Sequence, residues 1–248
     1  MDRNTTELLK GHKSIRVFKT DPISQEVLDD ILNCGMRASN TGNMQVYSVI
    51  VTREQPLKDQ LCDLNFGQCR TAPVFLTVCA DVNRYHHWCR LSDCDEPCSN
   101  LLWLLSATVD ASLCAQNMCV AAEAYGLGLC YLGTVLYNTA KIANLLQCPQ
   151  GVMPVITVAL GYPAEEGRMS ERLDLEGTVH YETYHDYTDD DIVRTHRVRE
   201  QFPFNQEMVR QNGTRNLAEI FTRLRYPLKD NLAISQSLQE FIDKNWNK

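Results

Sequence analysis

Residues 99–128 read SNLLWLLSATVDASLCAQNMCVAAEAYGLG. Leu101, Leu102, Leu105, Val109, Leu113 and Val120 mark a helix, Ala and Cys fill most of its remaining faces, and Gly126 and Gly128 end it. A helix that is apolar nearly all round is a buried one. This segment is therefore expected to form the spine of the core, and the other elements are read as packing around it. Residues 46–51 are β-branched and loosely alternating, which predicts a strand. Pro73 opens residues 74–80, a continuous apolar run of strand length that fits a strand covered on both faces. Residues 129–132 and 155–160 read as further strands, the last running into Gly161-Tyr162-Pro163.

Helices are predicted over residues 6–10, closed by Gly11, and over residues 25–34. In the second, Ser24 is a suitable N-cap, Val27, Leu28, Ile31 and Leu32 form one stripe, and Gly35 stands at the C-terminal end. A third helix is expected over residues 139–146, capped by Asn138, and two more near 216–224 and 231–245. Polarity rises after Arg168, so residues 169–202 read as an arm or loop. Strands are too few for a doubly wound sheet. The expected fold is α+β, with a peripheral C-terminal third.

The chain has 248 residues, with 24 Lys+Arg against 31 Asp+Glu for a net charge of −7. That balance argues against nucleic acid or an anionic membrane as the main partner. A chain this long buries about 70–75% of its unfolded surface and needs no covalent staples. Eleven cysteines is an odd number, so full pairing within one chain is excluded. Residues 1–7 are polar and carry no secretory h-region. The longest apolar runs fall well below the ~20 residues of a membrane span. Free thiols in a reducing, cytoplasmic setting are expected.

Several groupings could carry chemistry. His12-Lys13-Ser14-Ile15-Arg16 follows the Gly11 stop, and extended backbone puts His12, Ser14 and Arg16 on one side. An arginine fork, a hydroxyl and backbone N–H groups suit a phosphate; by spacing alone the segment also reads as a solvated charged run. Residues 39–45, Ser-Asn-Thr-Gly-Asn-Met-Gln, offer donors and acceptors for a polyol or a heterocycle edge, or form a plain turn. Gly126-Leu127-Gly128 is not a dinucleotide fingerprint, because position 131 is Tyr131 and these glycines end a helix instead of opening one. His86, His87, Cys89, Cys94 and Cys98 could be assembled into a four-ligand zinc set, but the spacing is cramped and Pro97 intervenes, so no metal is expected. Asp110 and Glu123 share no helical register that would make a catalytic carboxylate pair, and are expected to satisfy backbone or neighbouring polar groups.

Taken in order, these segments resemble the FMN-dependent nitroreductase family, nearest its oxygen-insensitive NADPH nitroreductase and flavin reductase branch. The matching pieces are residues 12–16, 38–45, 109–117, 126–133 and Arg172-Leu173-Asp174-Leu175-Glu176 with Val179-His180-Tyr181. The likeness runs from about residue 7 to 187. It implies a nitroreductase-like α+β fold, with a mixed, mainly antiparallel central sheet flanked by helices and a long buried helix. It also implies a homodimer with FMN at the subunit interface. Residues 1–187 would be the FMN-binding domain, and 188–248 a C-terminal helical extension packing on it or on the partner.

The resemblance further assigns His12, Lys13 and Ser14 to the phosphate and ribityl end, and Arg16 to the pyrimidine edge of the ring. Ser39, Asn40, Thr41 and Gln45 would touch the flavin, partly from the other subunit. Gln68 would hydrogen-bond the ring, Leu132, Gly133 and Thr134 would pack beside it, and Arg172 would bind the phosphate. Relatives often carry Lys two positions before that Arg, where this chain has Ser170. The implied activity is ping-pong hydride transfer from NADPH or NADH to nitroaromatic, quinone or flavin acceptors, with no catalytic residue beyond the flavin. Dehalogenation or flavin fragmentation on the same fold is the alternative, and a Cys/His metal-binding or redox-sensing module a more distant one.

Overall fold

Asn100 and Gly126 set the length of the central helix in the structure, a computed structural model that describes residues 5–246. Residues 5–169 and 237–246 form one compact unit, and 170–236 a second. In chain order the first holds α1 (Thr5–Lys10), α2 (Gln25–Met36), β1 (Tyr47–Thr52), α3 (Gln55–Leu64), β2 (Val74–Asp81), α4 (Asn83–Leu91), α5 (Leu101–Ala124), β3 (Gly128–Leu132), α6 (Thr139–Leu145) and β4 (Val152–Gly161). The second holds α7 (Asp189–Glu200), α8 (Pro203–Gln211) and α9 (Leu217–Glu219), which widens into a π-helix (Ile220–Arg225). The last helix, α10 (Leu228–Asn245), starts in the second unit and ends in the first.

The sheet order is β1-β2-β4-β3. Every pairing among these strands is antiparallel, in keeping with the mainly antiparallel sheet that the resemblance implies. β2 is buried at all eight positions, as its unbroken apolar run predicts. The Thr77 and Thr157 hydroxyls, opposite one another in the register, hydrogen-bond at 2.8 Å with no exposed surface. The β2–β4 register slips between Val78 and Cys79, and Cys79 then faces Pro154. Proline has no N–H to give the ladder, and a local irregularity accommodates it.

Asn100 caps α5 by accepting from the Trp103 N–H, and Gly126 stops it in the left-handed region at φ 76°. The indole of Trp246, itself buried, donates to the Asn100 carbonyl at 3.1 Å and ties the end of α10 to that cap. The core face of α5 is not the one its leucines suggest. Leu104, Ala107, Asp110, Ala111, Cys114, Ala115, Met118, Cys119 and Ala122 are buried, whereas Leu101, Leu102, Leu105, Val109 and Leu113 are exposed. Small side chains let neighbouring elements approach closely. Gly35 is therefore not a helix stop but lies inside α2, where a Cβ would sit 2.4 Å from Met118 Cγ.

Four helices escape the apolar-period reading: α3, α4, α7 and α8. The segment expected to be an arm carries α7, closed at its N-terminus by a capping box between Thr188 and Asp191. Asn138 precedes α6 without capping it; its amide donates to the Leu64 carbonyl at 2.8 Å.

Candidate functional site

Ile15 anchors the 12–16 segment. Its N–H donates to the Leu129 carbonyl of β3 at 2.8 Å, and a Cβ on Gly128 or Gly167 would collide with its side chain. Glu165 accepts from the Arg16 and Val17 N–H groups at 2.5 and 3.1 Å, which draws its carboxyl below the usual range. Ile15 is buried, whereas Ser14 is half-buried and Arg16 exposed. Lys13, on the Ile15 side, opens on a cavity of about 480 Å³ also lined by Glu7, Glu123, Glu165 and Glu166. His12 pairs through Nδ1 with Glu123 at 2.6 Å, so Glu123 has the neighbourly role expected of it.

The amide loop is braced from beneath. Buried Asp110 accepts from the Thr41 N–H and hydroxyl, both at 3.0 Å through Oδ1. Inside the loop, Asn40 Oδ1 accepts from the Gln45 N–H at 3.3 Å, and Gln45 Nε2 donates to the Asn43 carbonyl at 2.8 Å. Gly42, Asn43 and Gln45 all take positive φ, so these short bonds hold a conformation that costs energy. Much of the loop's amide capacity is thus spent on its own shape. Gly42, Asn43 and Met44 border a cavity of about 530 Å³ together with Arg84, Tyr85 and Trp88 of α4. Arg84 donates to the Gln45 carbonyl. Sequence reading missed Arg84 because α4 has no apolar period to announce it.

Gln68 lies in the 65–72 loop, whose shape is fixed by buried Asn65. The side chain of Asn65 donates to the Leu61 carbonyl at 2.8 Å and accepts from the Thr134 hydroxyl at 2.6 Å. That places the Gln68 loop beside the Gly133 turn at the end of β3. A Cβ on Gly133 would meet no heavy atom within 4 Å, so there is open space over this turn. Leu132 is buried beneath it. Lys13, Ser14, Arg16, Ser39 and Gln68 spend no side-chain polar atom on a partner among the described residues. Arg172 lies in the second unit, exposed, with its guanidinium donating to the Ser170 and Glu171 carbonyls at 3.4 and 3.1 Å.

Of the residues weighed as zinc ligands, His86 and Cys94 meet other groups. His86 Nδ1 faces Glu96 at 3.6 Å, Glu96 also pairs with Arg90 at 2.7 Å, Cys89 and Cys98 are buried, and Cys94 is exposed. Among the described residues no group of three or more His, Cys, Asp or Glu is arranged to hold a metal ion. No helix among them is long and apolar enough to cross a membrane.

The profile of the Nitroreductase family matches residues 9–83 and 105–162, which takes in the 12–16 segment, the amide loop, the Gln68 loop and the Gly133 turn. The chain belongs to this family. A Cr(VI) reductase of Pseudomonas sp. (strain G-1) is 29% identical over 92% of this chain and 96% of its own. An FMN reductase (NADPH) of Bacillus subtilis (strain 168) is 33% identical over 75% of this chain and 77% of its own. A solved structure from Bacteroides fragilis NCTC 9343 matches with TM-score 0.95 and 38% identity, over 98% of this chain and 100% of that one. The NADPH:FMN oxidoreductase of Vibrio harveyi, solved with NAD+, matches with TM-score 0.77 and 26% identity, over 95% of this chain and 98% of that one. The nitroreductase fold thus extends over nearly the whole chain, beyond the segments of the family profile.

Proposed function

We propose that this nitroreductase-family chain is a homodimeric oxidoreductase that carries hydride from NADPH or NADH, through bound FMN, to nitroaromatic, quinone or flavin acceptors in a ping-pong cycle. The observation that carries the reading is the set of unspent side chains at Ser14, Arg16 and Gln68, with open space at Gly133. FMN presents a phosphate dianion, a polyol and a flat ring edged with donors and acceptors. The chain answers with a hydroxyl, a guanidinium and an amide that no internal partner occupies, so the residues fit the group. The names of the Bacillus subtilis and Vibrio harveyi relatives support the same cofactor and donor.

When bound, FMN supplies a two-electron carrier that accepts hydride from nicotinamide and gives it up to the acceptor. The protein's part is positioning and charge. Arg16 would place a fixed cation toward the pyrimidine edge, favouring the reduced and more negative cofactor. Ser14 would serve the ribityl and phosphate end with His12 and Lys13, and Gln68 the ring. Leu132, Gly133 and Thr134 would form the floor beside it. Asp110 holds the turn from which Ser39, Asn40, Thr41 and Gln45 would reach it. The exposed row on α5 supports a second copy completing the site, because an apolar stripe of that length is rarely left to water.

Purified protein should be yellow, and should oxidise NADPH or NADH when offered nitroaromatic, quinone or flavin acceptors. A colourless protein that takes up no added FMN overturns the reading.

A further inference from the structure

Glu123 stands in the last turn of α5, just before the Gly126 stop. An anion at that end of a helix faces the negative pole of the helix dipole, which is the unfavourable sign. The same carboxylate borders the cavity that sets Glu7, Glu165 and Glu166 around Lys13. Helix stability and charge balance therefore both argue against a glutamate at this position. What it holds is His12, across 111 positions of sequence, with Nδ1 at 2.6 Å from Glu123 Oε1. The glutamate side chain is 14% exposed and the histidine 31%, so the carboxylate is covered while the ring is within reach of a ligand. Nε2 of His12 has no partner among the described residues.

We infer that Glu123 is a positioning residue: it fixes His12 as the Nδ1–H tautomer and leaves Nε2 as an acceptor for a ribityl hydroxyl of the flavin. Resting on the flavin reading above, this assignment divides the work at the cofactor's polar tail. An ionised carboxylate accepts hydrogen bonds and cannot donate them, and a neutral imidazole donates from one nitrogen and accepts at the other. With Glu123 accepting, the proton is on Nδ1 and the lone pair on Nε2. The two ring nitrogens point away from one another, so Nε2 faces away from Glu123.

That lone pair selects the part of the cofactor it can meet. A phosphate dianion has only acceptor oxygens and offers Nε2 nothing to accept. A ribityl chain carries hydroxyls, each able to donate. His12 then serves the polyol, and the phosphate is left to groups that donate: the Ser14 hydroxyl, the Lys13 ammonium and backbone N–H groups. The same logic accounts for a carboxylate at 123 in spite of its electrostatic cost. A glutamine of equal length can turn either its carbonyl or its NH2 toward Nδ1 and so admits both tautomers.

Glu123→Gln separates this role from simple packing, because it keeps the length and the contact but releases the tautomer. Long-range 1H–15N spectra of the purified protein, taken at about pH 8 and so above the usual imidazole range, read the two nitrogens of His12 directly. The expected result is a protonated Nδ1 with an unprotonated Nε2, and a mixture of tautomers in Glu123→Gln. A wild-type ring with its proton on Nε2, or with both nitrogens protonated, overturns the inference.

Binding supplies the second readout. The purified protein, freed of any flavin, is titrated with FMN, with riboflavin, which has the polyol but no phosphate, and with lumiflavin, which has neither. Quenching of flavin fluorescence follows each titration. Glu123→Gln should weaken FMN and riboflavin alike, by about two- to tenfold, the worth of one neutral hydrogen bond, and should leave lumiflavin unchanged. In a His12→Ala background the same substitution should change none of the three. A loss confined to FMN would put His12 on the phosphate, and a loss shared by all three would make Glu123 part of the scaffold alone; either overturns the inference. A wild-type protein that takes up none of the three overturns the flavin reading itself, and this inference falls with it.

Discussion

The Thr134 hydroxyl donates to Asn65 Oδ1 at 2.6 Å, across 69 positions of sequence, and so joins the turn after β3 to the end of α3. Asn65 has no exposed surface, its side-chain amide donates to the Leu61 carbonyl, and its backbone carbonyl accepts from the Gln68 N–H at 3.3 Å. The two segments proposed to face one another across the ring are thus held by a single side chain. Replacing Asn65 with Ala strands the Thr134 hydroxyl and frees the loop. A loss of about 1–3 kcal/mol is expected, read as a lower urea midpoint, together with weaker retention of FMN. Unchanged stability and unchanged FMN retention would remove Asn65 from this role.

Arg16 is tested through the electronic effect assigned to it. In Arg16→Gln the fixed positive charge is gone while length and some hydrogen bonding remain. The flavin midpoint potential should fall and reduction by NADPH should slow, whereas thermal stability should change little, because Arg16 is exposed and its charge only assists the hold that two backbone N–H groups already have on Glu165. Spectroelectrochemical titration measures the potential directly. An unchanged value would dismiss the tuning role.

Glu165 gives the site an acid limit. Its carboxylate accepts from two N–H groups, so its folded pKa lies below the ordinary 4.5. A depressed folded value contributes stability that is present above the unfolded pKa and is lost as pH falls through the folded one. The 12–16 segment should therefore loosen below about pH 4.5. Glu165→Gln should flatten that part of the stability–pH curve. An equally steep acid limb in the variant would assign the loss to other carboxylates.

Gly35 is expected to tolerate no side chain. Alanine would bring a gain of about 1 kcal/mol in helix propensity, but its Cβ would lie 2.4 Å from Met118 Cγ and 3.2 Å from Cys114 Sγ. Overpacking of this kind typically costs about 1–3 kcal/mol, so the net effect of Gly35→Ala should be destabilising. Adding Met118→Ala should cost less in the Gly35→Ala background than alone, since the two residues share one space. A double-mutant cycle in urea checks this, and strict additivity would contradict it.

These residues also mark what sequence could reveal. β2 and β4 were legible because a strand covered on both faces is apolar without interruption. α5 was legible as a helix, but its orientation was not. Leucine draws the eye to Leu101 and Leu105, whereas close packing against α2 and the sheet selects Ala107, Ala111 and Cys114. α3 and α8 each have proline in the first turn, and α7 has Thr188 three residues before Asp191. Those start signals were present where an apolar period was not. The order of the site segments was readable as a resemblance. Their bracing was not, because the Asp110–Thr41 and Asn65–Thr134 bonds join residues 69 apart in sequence.

The misread leucines lead to the last prediction. Leu101, Leu105, Val109 and Leu113 are spaced by four, so they form one ridge along α5, and their exposures of 63, 57, 56 and 42% leave it facing solvent. Burying a side chain of this kind fully is worth about 1.5–3 kcal/mol, so a second copy that covers the ridge gains a substantial part of what a stable dimer needs. Carboxylates placed there would oppose that gain, while an exposed position costs the monomer little. Leu105→Glu with Val109→Glu should therefore give a folded protein with unchanged far-ultraviolet circular dichroism and half the light-scattering mass. It should also lose FMN, since the proposed site is incomplete without its twin. Leu175→Glu, at a position 70% exposed in the second unit, is the control and should leave the mass unchanged. A double variant that stays dimeric would move the interface elsewhere, and a wild-type protein that is monomeric yet yellow would show that one chain suffices for the flavin.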